Sequence, residues 1–134
     1  MKKVFSIKET KMDEAEVTIG QFFITLLHSS TNAHILHLQS RSLSEHMALG
    51  EFYLSIEELT DNLIEAWQGK NSQLAQYPNT YMPPMENGLA ELQELSAFVQ
   101  LNRGVVGTDS ELQNITDEIQ QLIDSTIYKL TFLK

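Results

Sequence analysis

The chain has 134 residues, no cysteine and a net charge of −9. That length fits a single domain, and the absence of cysteine excludes disulfides, thiolate metal sites and thiol catalysis. The acidity sets the chain against DNA and anionic membranes and favours cations.

The charge is uneven. Residues 1–11 hold Lys2, Lys3, Lys8 and Lys11 against Glu9, so the rest is more acidic than the total states. Residues 1–12 read as a flexible, Lys-bearing N-terminal tail. Such a tail could touch phosphate, but DNA binding is expected to be weak or absent. The opening "MKKVFSIKETK" lacks the apolar segment of a secretory signal. No run of about 18 apolar residues suggests a membrane span, so a cytoplasmic protein without membrane contact is expected.

Four helices are predicted. The first runs from about Asp13 to Gln39, with Val17, Ile19, Phe22, Phe23, Leu26 and Leu27 at helical spacing. "SLSE" at 42–45 opens the second: Ser42 can cap it and Glu45 can reach back, a capping-box pattern. That helix continues to about Gly69. It is apolar nearly all round, through Leu49, Phe52, Leu54, Ile56, Leu59, Leu63 and Trp67, which predicts burial on more than one side, against a partner chain as well as its own bundle.

Pro78, Pro83 and Pro84 then forbid a continuous helix, and residues 70–85 read as a long connection. A third helix follows from about Met85 to Asn102, carrying Leu89, Leu92, Leu95, Phe98, Val99 and Leu101. Gly104 and Gly107 break it. "TDSE" at 108–111 reads as a second capping box. The last helix shows the stripe Leu112, Ile115, Ile119, Ile123, Ile127 and Leu130.

The links are short, long, short. About 16 extended residues reach at most about 55 Å, enough to traverse a bundle. Residues 13–134 are therefore expected to form one all-α domain, a ferritin-like four-helix bundle with one long crossover between helices two and three.

Three of the four histidines lie in "NAHILHLQSRSLSEHM", residues 32–47. His34 near the end of helix one and His46 near the start of helix two should sit at similar height across the turn. Asp61 and Glu65, spaced i, i+4, share one face of helix two. Imidazole with carboxylate suits iron, with zinc or manganese as substitutes. One chain cannot join the two pairs, because His46 and Asp61 are about 22 Å apart along the helix. Two copies of helix two, packed antiparallel about a two-fold axis near Leu54 and Ser55, would join them and give two equivalent sites per dimer.

On these residues the chain resembles the Dps family of ferritin-like mini-cages. "AH" at 33–34, His46, Asp61 and Glu65 keep that family's order and spacing, and the ending "YKLTFL" at 128–133 is similar to its aromatic-rich terminus. The resemblance runs from about Val17 to Leu133. It implies a homo-oligomer, a dodecameric shell of two-fold pairs. Ferroxidase sites between paired subunits would oxidise Fe(II), usually with hydrogen peroxide, and the ferric product would be stored inside. Carried over, His34 and His46 come from one subunit and Asp61 and Glu65 from its mate.

Three departures accompany the likeness. Gly50 stands where the family usually carries a further Asp, with Glu51 about 100° away around the helix. Ile35 stands where a Trp usually follows the first His, and the "N-x-x-G" of the family's first loop is absent. They support an alternative: a ferritin-like structural or interaction protein with a degenerate site and no iron chemistry. His37 is left as a surface residue and His28 as structural. Met47 and Trp67 read as core or interface.

Overall fold

A computed structural model describes residues 17–134. The expected tail and the expected helical start at Asp13 lie outside them. The described residues form α1 (Ile19–Gln39), α2 (Leu43–Asn71), α3 (Gly88–Asn102), a 3-10 turn (Arg103–Val106) and α4 (Ser110–Phe132), with no strand among them. No helix in this range is long and apolar enough to cross a membrane.

Local chemistry sets the ends. Thr18 caps α1 in a full capping box: Gln21 N donates to Thr18 Oγ1 at 3.1 Å, and Thr18 N donates to Gln21 Oε1 at 2.8 Å. Only half of the box expected at Ser42 forms. Glu45 N donates to Ser42 Oγ at 3.2 Å, but Ser42 N donates instead to Ser40 Oγ at 3.1 Å. The Glu45 carboxylate is thereby released to accept from Ser40 Oγ at 2.6 Å and from Gly88 N at 3.1 Å. It satisfies an orphan amide at the start of α3 instead of one at the start of its own helix.

The helix expected to end near Gly69 continues to Asn71 and closes on Ser72 in the left-handed region, φ 52°. The helix expected from Met85 begins at Gly88, where Asn87 Oδ1 accepts from Ala90 N at 2.8 Å. The box expected at "TDSE" does not form. Asp109, not Thr108, occupies the cap without a side-chain bond, and Asp109 and Glu111 each lie 3.6 Å from Lys70.

These contacts fix direction. The link Ser40–Ser42 folds α1 and α2 into an antiparallel hairpin. Lys70, at the end of α2, meets the start of α4, and Lys129, near the end of α4, meets Glu51 at 2.7 Å, so α2 and α4 are antiparallel. Glu45 beside Gly88 makes α2 and α3 parallel. Such a relation requires a connection that runs the length of the molecule, and residues 72–87 provide it along α1. Near the start of α1 the approach is closest: a Cβ on Gly20 would collide with the Gln76 carbonyl oxygen. Farther on, Tyr81 Oη donates to Asn32 Oδ1 at 2.6 Å. Asn32 Nδ2 donates to Met82 O at 3.1 Å and to Glu91 Oε2 at 3.2 Å.

The core draws on all four helices, with Phe22, Phe23, Phe52, Leu63, Leu92 and Ile119 fully buried. Each such side chain contributes about 1.5–3 kcal/mol relative to exposure. The Thr60 hydroxyl is buried without a hydrogen-bond partner among the described residues.

Candidate functional site

The tight turn at Ser40–Ser42 sets the register of the hairpin, and the register decides which histidines meet. His37 lies directly across from His46. Their rings stack with centroids 3.6 Å apart and planes 17° from parallel. Each ring bonds the other residue's backbone: His37 Nδ1 donates to His46 O at 2.6 Å, and His46 Nδ1 donates to His37 O at 2.8 Å. A carbonyl oxygen can only accept, so both Nδ1 atoms carry the hydrogen, and Nε2 is the atom of each ring left to offer a lone pair. A backbone carbonyl on Nδ1 is also the usual second partner of a metal-ligating histidine.

His34 lies one turn back. Its ring stacks on Tyr53 at 4.1 Å and 12°, and sits 6.0 Å from His37. Tyr53 in turn meets His37 edge-on at 5.3 Å. The imidazoles therefore form a row, His34, His37, His46, with His37 between the two expected ligands. The surface role assigned to His37 is corrected: it is half-buried and bonded. The signal was available, because a turn centred near residue 41 pairs 37 with 46. Gly50 makes the room. A Cβ there would lie 3.1 Å from His37 Cε1 and 3.3 Å from Nδ1.

The carboxylates stand elsewhere. Asp61 and Glu65 are exposed on the outer face of α2, in line with Leu43, Met47, Leu54 and Glu58, which are also exposed. The first half of this face is apolar, with Leu43 73%, Met47 57% and Leu54 63% exposed. The second half is acidic. His34 is exposed near the middle of α2, whereas His46, one residue before Met47, is turned about 100° from that face toward α1. Among the described residues no three His, Asp or Glu side chains converge on a position that could hold a metal. His28 packs edge-on against Tyr81 of the crossover at 4.9 Å, and Trp67 packs in the core against Phe23.

The chain belongs to a family of unknown function, DUF5856, which matches residues 37–130. The match takes in His37, His46, Asp61 and Glu65 and stops short of His34. No curated protein and no solved structure matches the chain.

Proposed function

We propose that this chain is a ferritin-like protein of the Dps type, a homo-oligomer of two-fold pairs assembling to a dodecamer. It would bind and oxidise Fe(II) at sites shared between paired subunits. His34 and His46 of one chain and Asp61 and Glu65 of its mate would be the ligands. One observation carries the reading: His34, Asp61 and Glu65 are all exposed, and Asp61 and Glu65 extend the same outer face of α2 that exposes Leu54. Antiparallel pairing of that face about Leu54 buries its apolar half and sets each acidic half against the histidine end of the mate. The antiparallel and parallel helix relations, with the crossover along α1, support the ferritin-like assignment.

Iron is the substrate here. Each Fe(II) gives up one electron and peroxide accepts two, so two irons are consumed per peroxide. The lone pair on His46 Nε2, with Nδ1 held by a carbonyl, suits the ligand role.

Mixing tests the geometry. A chain with His34→Ala and His46→Ala and a chain with Asp61→Ala and Glu65→Ala should each oxidise no Fe(II) alone. In a heterodimer of the two, one site loses all four ligands and the other keeps all four. Co-assembly should therefore restore part of the rate. Inactive mixed particles beside active wild type would sink the shared site.

A second reading has its own observation. The reciprocal bonds between His37 and His46 pin the hairpin without any ion, and His46 faces α1. On that reading the chain is a structural or interaction protein, and the wild type neither binds nor oxidises iron.

A further inference from the structure

Between α1, the crossover and α3 lies a groove of about 500 Å³, in the size range of ligand pockets. Its two ends differ. α1 and α3 run antiparallel, so Asn32 of α1 stands beside Glu91 of α3, and Phe22 beside Phe98. The first end is polar. Among the described residues the carboxylates on the groove are Glu91 and Glu94, neighbours on one face of α3. His28 is the titratable base that lines it, and no described Lys or Arg does. The second end is apolar, walled by Ile24, Leu95 and Phe98.

The polar end is held in place. Asn32 is 5% exposed, and Tyr81 Oη orients its amide by donating to Oδ1 at 2.6 Å. Asn32 Nδ2 is thereby aimed at Glu91 and donates to Oε2 at 3.2 Å, while Met85 N donates to Oε1 at 2.8 Å. Both partners are neutral. Glu91 is half-buried, and no cation pairs with it among the described residues. A carboxylate taken partly out of water and left unpaired is costly, and its oxygens keep further acceptor sites for a cationic donor.

We propose that this groove binds an alkylammonium, a primary amine in its charged form on an unbranched apolar tail. The ammonium lies between Glu91 and Glu94, and the tail runs toward Phe98. An ammonium has three donors and no acceptor, which suits a pair of carboxylates. From Glu91 to Phe98 is about 10 Å along α3, so a tail of several carbons gains apolar contact that a bare ammonium forgoes. An inorganic cation would leave the apolar end unused, and an anionic head would meet like charge. The inference is independent of the iron reading, since the groove lies on the α1–α3 side and not on the outer face of α2.

The test uses the full chain with isotope-labelled methionine methyls, read by NMR. Met82 and Met85 line the groove, and Met47 on the outer face of α2 is the control. Hexylammonium should shift the Met82 and Met85 methyls to saturation, with Met47 unmoved. Butylammonium, two methylenes shorter, should bind about tenfold more weakly, and methylammonium more weakly still. Hexanol has no charge to offer the carboxylates and hexanoate has the wrong one, so each should lose about tenfold or more. Glu94→Gln, at an exposed position whose change leaves the core intact, should weaken hexylammonium several-fold, and Glu91→Gln should weaken it further. The ligand series is run on the wild type, so it stands whether or not either variant folds. Four results overturn the proposal: no saturable shift at Met82 and Met85, an equal shift at Met47, hexanol as tight as hexylammonium, or methylammonium as tight. So do shifts that follow protein concentration and not amine, because the occupant is then a second copy.

Discussion

The two halves of α2 are built on opposite terms. In the first, His46 and Tyr53 are engaged: rings stack, both bonded histidine nitrogens find carbonyls, and Gly50 leaves the space that lets His37 in. In the second, Glu58, Asp61 and Glu65 stand exposed on the outer face. The contrast separates two kinds of polar residue. Those near the turn are held by this chain alone and should register in its stability. Those near Asp61 make no side-chain bond among the described residues and should register only when something else arrives.

The largest expected effect breaks the proposed meeting of the halves. Leu54→Asp places a charge at the proposed axis, and burying it unpaired costs several kcal/mol. The particle mass should fall to that of a monomer. A native mass equal to wild type would show that the axis lies elsewhere.

Next comes the histidine end. His37→Ala removes one hydrogen bond and a stack and leaves the His46 carbonyl without its partner, while His46 Nδ1 keeps the backbone carbonyl of residue 37. Chemical unfolding should show a loss of about 1–3 kcal/mol. If the loss is under about 0.5 kcal/mol, the range of ordinary surface changes, then the pairing holds nothing.

Gly50→Ala is subtler. Alanine favours a helix interior by about 1 kcal/mol, while its Cβ presses on the His37 ring. The net change should stay within about 1 kcal/mol, yet the ring protons of His37 and His46 should shift in an NMR spectrum. Unmoved ring signals would mean that the glycine is not what seats the ring.

The smallest effect belongs to the acidic half. Asp61→Asn with Glu65→Gln should leave unfolding of the metal-free protein within about 0.5 kcal/mol of wild type. Any rise in Tm that Fe(II) gives the wild type should vanish in the variant. An equal rise in both would remove these carboxylates from the site.

The same contrast marks what could be read from residues alone. Helical periodicity placed all four helices, because each buries a stripe, and the three prolines placed the crossover. Within the ends, competition among nearby polar groups was invisible. Ser40 took the Ser42 amide, so Glu45 served α3, and Lys70 drew Asp109 and Glu111. The start at Thr18 was missed because Gln21, rather than an acid, completes its box. Of the candidate site, the outward placement of Asp61 and Glu65 follows from spacing. The engagement of His46 does not, since it depends on register across a turn. Reading position 50 by its missing carboxylate likewise overlooked the ring that fills the space.

The crossover also has a signature in time. Its ends are tethered by amides: Gln73 N donates to Gln68 O and Ala75 N to Gln68 Oε1, while Met85 N donates to Glu91. From Gln76 to Met82 the backbone amides donate to no acceptor among the described residues, and side chains such as Tyr81 do the holding. In heavy water those middle amides should exchange quickly, between slow ones at Ala75 and Met85. The strap would then be a sub-global unit that can lift from α1 while both helical hairpins stay closed.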